Sequence, residues 1–311
     1  MDDPTKQRIS EHWAQRTEGA KPSRINWWES EMVRQHINRL VSGSASTAPG
    51  RGLLERAKQL SGGRRYGLGV SVGCGIASKE LRLMELGLVE RFVLFELSEA
   101  RIARGKEMAE KKGLLDRVEF RSDDAFKAFT GPSFDFVHWD NSLHHMFDVM
   151  DAVRWSEAVL KPGGMFYLFD FVGPTRWQWT DKSLDLIERV RGMLPERMLK
   201  DPWYPERRDT PLLKTRVDRK TPERIMRDDP SEAADCGRIL DALAKYFPSA
   251  EVKRVGGVIF HLGLSHIYHN IDESQPDDRA ILSLLLLLDE LCLEVPGIEC
   301  HYATALATKP G

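Results

Sequence analysis

Cysteine is scarce in this sequence: Cys74, Cys236, Cys292 and Cys300 are scattered through 311 residues, and no two form a C-x-x-C pair. That argues against a zinc site or a disulfide framework and for a reducing, cytoplasmic setting. Long hydrophobic runs are missing too. The longest, Leu284 to Leu288 with its flanks, is too short to cross a bilayer. The N-terminus, MDDPTKQRISEHW, is polar and has no signal-peptide pattern, so no membrane is expected. Charge of neither sign is in excess: the net charge is -2, which gives no footprint for nucleic acid. With 41% hydrophobic and 30% charged residues, the chain reads as globular. Its length suits one large α/β domain with an insertion, or two domains. No internal repeat is visible.

The organising stretch is Tyr66 to Ser78, YGLGVSVGCGIAS. Leu68, Val70 and Val72 read as a buried strand, Gly73-Cys74-Gly75 breaks it, and a helix pattern follows from Ser78 to Leu86. Strand, glycine turn and helix are the first unit of a nucleotide-binding α/β sheet. Strands then follow at Arg91 to Leu97, Val118 to Arg121, Phe134 to Trp139 and Met165 to Phe171. Helices fall between them at Glu99 to Lys112 and Val149 to Leu160, and KPGG (161–164) reads as a turn. This alternation predicts a doubly wound, Rossmann-like parallel sheet, with about seven strands once the C-terminal ones are included. Residues 1–60 read as an N-terminal helical cap, with Trp13, Ile25, Trp27, Trp28, Met32, Ile37 and Leu40 apolar. Residues 61–172 form the core, 173–249 a proline-punctuated insertion, and 250–311 complete the sheet. Within the last two segments a helix is expected from Asp229 to Phe247, a strand from Glu251 to Val255, a buried helix from Arg279 to Leu293 and a strand from His301 to Thr308. The start of Val258 to Asn270 reads as strand or helix.

Glu96 closes the second strand, 21 residues after Gly75. A carboxylate there can accept two hydrogen bonds from the cis hydroxyls of a ribose. The ordered set VSVGCGIAS, LFELS, SDDAF, FDFVHWDNSLHH and LKPGGMFYLFDF resembles the five motifs of the class I S-adenosylmethionine-dependent methyltransferases over residues 66–172. GPTRWQW, DDPSEA, YFPSAEV and GGVIFHL are similar to a bacterial subgroup acting on small molecules or glycans. The resemblance implies S-adenosylmethionine as cofactor and S-adenosylhomocysteine as its product. Gly73 and Gly75 would lie under the methionine part, Glu96 on the ribose, Asp124 and Ala125 beside the adenine, and Asp140 and Asn141 at the amino-acid end. Ser71 stands where the family often has an acid, and Ala77 where it has a third glycine.

Methyl transfer to a hydroxyl needs an aligned acceptor and a base, and histidine suits the second task. His144 and His145 follow the fourth strand, so either could be that base, although a helix-opening pair bonded to backbone would look the same. His261, His266 and His269 form a second group. With Asp170 they could hold a divalent metal, His266 and His269 sharing a helix face, but solvated histidines are the simpler account and no metal is expected. Arg176, Trp177 and Trp179 past the fifth strand, together with His261, are the candidate acceptor residues. The indoles could stack on a sugar or flat ring and the arginine could clamp an anion, or all three could pack the insertion on the sheet. Trp13 covers the cofactor or anchors the core, and Cys74 reads as a small filler. The expected activity is O-methylation of a small molecule or glycan. N- or C-methylation, a non-catalytic methyltransferase-like subunit and an NAD-dependent oxidoreductase are the alternatives; Asp124-Ala125 and the closing strand speak against the last.

Overall fold

The structure, a computed structural model, describes residues 3–18, 26–200 and 214–311. Ile25 and the stretch DPWYPERRDTP lie outside the described residues. The seven strands are β1 (Tyr66–Val72), β2 (Val89–Phe95), β3 (Val118–Arg121), β4 (Phe134–Asp140), β5 (Leu160–Phe171), β6 (Glu251–Gly256) and β7 (Tyr302–Thr308). They form one sheet in the order β3-β2-β1-β4-β5-β7-β6. Neighbours from β3 through β5 pair parallel, as the βα alternation requires. β7, beyond the five alternating strands, runs antiparallel to both β5 and β6. The order reverses between β1 and β4, and at that switch the loops after the two strands part and leave a crevice.

Helices α1 (Asp3–Glu18), α2 (Glu31–Ser42) and α3 (Arg51–Leu60) precede the sheet. α4 (Ser78–Glu85), α5 (Glu99–Lys111), a short α6 (Ala125–Ala128) and α7 (Val149–Val159) make the crossovers. α8 (Asp181–Gly192), α9 (Pro222–Asp228), α10 (Ile239–Tyr246) and α11 (Pro276–Cys292) follow. The strands are apolar on both faces because helices cover both: Phe134, Phe136, Val137 and Trp139 of β4 are all buried. Trp27 seals the N-terminal segment onto this core against Phe260 and Tyr302, with ring centres 5.1 and 4.9 Å away, whereas Trp28 is exposed. Among the described residues no helix is long and apolar enough to cross a membrane.

Four expectations are corrected. KPGG is no turn ahead of a strand but a bulge inside β5: Phe134 pairs with Leu160 and Phe136 already with Met165, so the extra residues loop out. Asp229 to Phe247 is not one helix. Asp229 Oδ1 accepts from Ser231 N and Oγ, an Asx turn beside Pro230, and Ala233 is left-handed (φ 48°), so helix α10 starts only at Ile239. Val258–Gly263 is a π-helical turn, His266 is left-handed (φ 65°), and Tyr268–Asn270 is a separate 3-10 turn, so His266 and His269 share no helix face. Finally, the leucine run is buried on one side only: Leu282, Leu285 and Leu286 face the core, while Leu284, Leu287 and Leu291 are exposed at helical spacing.

Arg191 of α8 ties this C-terminal half together. Only 1% exposed, it donates to the carbonyls of Gly263, Ser265, Lys214 and Arg216.

Candidate active site at the β1–β4 switch

The chain leaves β1 through a left-handed turn: φ is 71° at Gly73, 60° at Gly75 and 57° at Ala77. Glycine takes the first two without strain, and at Gly73 a Cβ would also press on Ser142 Cβ at 3.1 Å. Glu96 fastens the turn. Its Oε2 accepts from Gly75 N at 2.9 Å and its Oε1 from Ser98 N at 2.9 Å, so each oxygen keeps a further lone pair. Asp124 caps α6 by accepting from Phe126 N, with Ala125 buried behind it. Asp140 ends β4 paired with Lys79 Nζ at 2.6 Å, and Asn141, itself left-handed (φ 53°), donates to the same Asp140 oxygen at 2.8 Å. Ser71, in the place of the expected acid, donates to Glu80 Oε1 at 2.7 Å. His138 Nδ1 meets that same oxygen at 2.9 Å, so α4 supplies a buried carboxylate behind the strand. Burial works against this charge, but His138 and Ser71 outweigh it and hold the Glu80 carboxyl below its ordinary pKa.

The residues after β4 are shaped by Asp170, fully buried at the end of β5. Its Oδ2 accepts from Ser142 N and Leu143 N at 2.9 and 2.8 Å, and its Oδ1 from Phe171 N and from His144 Nδ1 at 2.5 Å. The bond fixes the tautomer, so His144 presents Nε2, which faces Glu232 Oε1 at 3.7 Å. His145 Nδ1 lies 3.1 Å from Ser231 Oγ, whose hydroxyl already donates to Asp229 at 2.7 Å. His145 Nδ1 is therefore the donor, and this ring too offers Nε2. The Asx turn that replaced the expected helix is what brings Asp229, Ser231 and Glu232 here. Arg176 holds it in place, donating Nη1 to the carbonyls of Pro230 and Glu232 at 2.8 Å each.

Burial disfavours charge on His144, yet Asp170 and then Glu232 raise its pKa above the ordinary value. Burial, with His144 beside it, drives His145 well below. Glu232 is raised by burial, against the pull of His144. Among the described residues, His261, His266 and His269 are not part of a group that could hold a metal. His261 instead faces His301, Nδ1 to Nδ1 at 3.1 Å, and burial takes His301 down to about 3. Among the described residues, His144, His145 and Glu232 are the one group of metal-ligand type whose donor atoms fall within 4.8 Å of one another.

A cavity of about 1110 Å³ opens over this cluster. Asp140, Asn141, His144, His145, Glu232, Trp177, Trp179 and His261 all line it. Arg176 does not, and its guanidinium is already committed to the 230–232 carbonyls, so its expected part as an anion clamp gives way to holding the loop. Gly73, Gly75, Glu96, Asp124 and Ala125 lie outside the lining. Arg101 links Gly75 to Trp13, which lines the cavity. Its guanidinium is 4.0 Å from the centre of the Trp13 ring, and its Nη1 is 3.4 Å from where a Cβ on Gly75 would be. Trp13, the candidate cofactor cover, also sets its ring edge-on to His145 at 5.4 Å. Sequence reasoning missed Asp229, Ser231 and Glu232, some 85 residues downstream of the histidines; the one signal was the DDPSEA string, read as a helix start.

Residues 70–168 match the family model described as a methyltransferase domain. Over 104 residues the chain is 34% identical to 27-O-demethylrifamycin SV methyltransferase of Amycolatopsis mediterranei, a match covering 33% of this chain and 38% of that protein. Over 108 residues it is 32% identical to demethylmenaquinone methyltransferase of Leptospira interrogans, covering 34% and 43%. The chain thus matches less than half the length of these two relatives. Among solved structures, geranyl diphosphate methyltransferase with GPP and sinefungin superposes with a TM-score of 0.51 at 13% identity, over 98% of this chain and 99% of that one. Phosphoethanolamine N-methyltransferase 2 of Haemonchus contortus gives a TM-score of 0.51 at 15% identity, over 97% and 61%; both likenesses speak to the fold. With the motif order, the sheet and the glycine turn all agreeing with the domain match, residues 70–168 are a methyltransferase domain of the class I, S-adenosylmethionine-dependent kind.

Proposed function

We propose that the protein moves the methyl group of S-adenosylmethionine to an oxygen of a small-molecule or glycan acceptor, with His144 and His145 at the reacting oxygen. The observation that carries this reading is that the glycine turn after β1 and the histidine pair after β4, His144 held by Asp170 and His145 by Ser231, follow the two strands at the same switch of the sheet. The residues fit the cofactor. Glu96 keeps one free lone pair per oxygen for a ribose diol, and the glycine turn has no Cβ in the way. When bound, S-adenosylmethionine supplies a sulfonium methyl, whose C–S bond breaks, the electron pair staying on sulfur, as the C–O bond forms.

The chain's own part is to bind, align and take the proton. Asp140 and Asn141 border the cavity where the amino-acid end is expected. Trp177, Trp179 and His261 line its acceptor side. The acceptor's hydroxyl proton is left to the histidine–carboxylate cluster of His144, His145, Asp229 and Glu232. The volume of about 1110 Å³ slightly exceeds the roughly 300–1,000 Å³ usual for one ligand, and so suits an acceptor beside the cofactor's reactive end. Oxygen is favoured over nitrogen or carbon because the cluster is built to receive a proton from a hydroxyl, and the relative that methylates 27-O-demethylrifamycin SV is of that kind.

Titration calorimetry tests the reading. S-adenosylmethionine and S-adenosylhomocysteine should both give heat and NAD none. NAD binding with no response to S-adenosylhomocysteine would remove the methyltransferase reading. Cofactor binding without turnover on any co-purified metabolite identified by mass spectrometry would favour the non-catalytic subunit.

A further inference from the structure

We propose that His144, His145 and Glu232 hold a divalent first-row transition ion that binds the acceptor's oxygen. The inference rests on the methyltransferase reading for the acceptor, but on the three side chains alone for the ion.

The donor set is two imidazoles and one carboxylate, a combination that binds zinc and iron in catalytic sites and leaves coordination positions open for a substrate oxygen. Both rings present the right atom. His144 Nδ1 is spent on Asp170 and His145 Nδ1 on Ser231, so both Nε2 atoms carry lone pairs. The arrangement behind the rings is that of metal-binding histidines, whose second nitrogen donates to a carboxylate or another acceptor that locks the ring. Asp170 is unusually well fixed for this, since three backbone N–H groups hold it.

The spacing points the same way. His144 Nε2 and Glu232 Oε1 are 3.7 Å apart, too far for a hydrogen bond. Two donors on one ion at bonds of about 2.0–2.2 Å sit about 3.0–3.5 Å apart, so a small rotation of Glu232 closes the set. One donor atom from each of the three residues already lies within 4.8 Å of the other two, and His144 is only 8% exposed. At the rim of the cluster, His12 Nε2 and Asp229 Oδ2 are buried without a hydrogen-bond partner, 3.9 Å from each other. Buried polar atoms without partners are few in folded proteins and call for a cause; a cation beside them, and the water it carries, supplies one.

An ion here acts on the acceptor, not on the cofactor. It would take the hydroxyl oxygen at an open position and make the proton easier to lose; with both Nε2 atoms and Glu232 serving as ligands, that proton passes to Asp229, whose Oδ2 has no hydrogen-bond partner, and an adjacent second oxygen can fill another position. Imidazole donors favour iron, nickel, copper or zinc over magnesium, and the carboxylate also admits manganese. The acceptors that fit best are therefore those with two neighbouring oxygens, such as a vicinal diol, a catechol or a hydroxy-ketone.

The test uses the full chain, stripped with a chelator, dialysed, and titrated with Zn²⁺, Mn²⁺ and Mg²⁺ by calorimetry. The expected result is one Zn²⁺ or Mn²⁺ per chain and little response to Mg²⁺. Glu232→Gln and His145→Ala should each weaken uptake by roughly 100-fold or more, since losing even a group behind a ligand costs about 10–100-fold. Co²⁺ added to wild type should give a visible absorption band that Glu232→Gln lacks. Circular dichroism and S-adenosylhomocysteine binding confirm that each variant is folded. Glu96→Gln, which lies outside the ligand set, should keep the ion. Wild type binding no more ion than folded Glu232→Gln overturns the proposal, as does uptake that disappears in His266→Ala instead. Turnover that survives the chelator unchanged overturns the role on the acceptor. Absence of S-adenosylhomocysteine heat would instead sink the cofactor reading and leave the ion result standing.

Discussion

Glu96 has two tasks, and they can be separated. Towards the protein it accepts from Gly75 N and Ser98 N; towards the cleft it is proposed to accept from a ribose. Removing a charged acceptor costs on the order of 1.5–3 kcal/mol, so Glu96→Ala should lower S-adenosylhomocysteine affinity tenfold or more in calorimetry. An unchanged affinity in a folded variant would refute the ribose assignment. Asp289 makes a second prediction at this scale. It is fully buried in α11 and accepts from Gly257 N and Ile259 N at 2.8 and 2.6 Å, yet burial outweighs these bonds and lifts its pKa to about 7. With the folded value above the ordinary 3.8, the folded state binds the extra proton. The associated stability is complete below about pH 4 and is lost as pH rises through about 7. The shift corresponds to a few kcal/mol, on the order of 4. Denaturant midpoints of wild type should therefore fall across this window, and those of Asp289→Asn should stay much flatter. Neither Asp289 nor Glu232 was legible in the sequence as a special residue. Their character comes from burial and from neighbours far along the chain, whereas Glu96 stood at a fixed distance from a glycine turn.

Elements were legible where the local pattern and the tertiary packing agree. β1, α4, α5 and β3 lie within one or two residues of their expected bounds, because apolar periodicity and capping describe the same surfaces that the sheet buries. They failed where a side chain overrides the pattern. Asp229, in front of Pro230, looked like a helix cap, but its carboxylate closes an Asx turn, and that turn is the part that reaches the histidines. The glycines of KPGG looked like a stop, yet β5 continues past them because its pairing with β4 resumes after the bulge. Arg191 shows how the irregular C-terminal elements are held. Arg191→Met keeps the apolar stem but leaves carbonyls at Gly263, Ser265, Lys214 and Arg216 without their donor. Buried acceptors left unmade cost about 1–3 kcal/mol apiece, so a loss of at least about 3 kcal/mol is expected in urea titration. A change below 1 kcal/mol would mean that water replaces the guanidinium at little cost.

At the scale of the molecule, the doubly wound sheet could be foreseen, but the place of β7 could not. Its sequence, YATALAT, says strand; only pairing says that it lies between β5 and β6 and runs against them. The consequence is that the last strand is an inner one. Ending the chain at Gly297 would strip β5 and β6 of their shared neighbour and uncover the core on both faces, where Tyr302 and Leu306 lie on one side and Ala303 and Ala305 on the other. Such a truncation should give no folded protein by circular dichroism and size-exclusion chromatography. A soluble, cofactor-binding truncate would show that β1 to β5 suffice.

Trp13 has a consequence of an optical kind. One face of its indole carries the Arg101 guanidinium and its edge meets His145, so a single fluorophore touches the wall of the glycine turn and the histidine pair together. Indole emission depends on the charges and the ions beside the ring. S-adenosylhomocysteine arriving near Arg101 and Mn²⁺ arriving at His145 should therefore each change the emission of the same residue, the second by paramagnetic quenching. In Trp13→Phe both responses should shrink while the other seven tryptophans continue to emit. The protein would then report its own loading, ligand by ligand, without a label.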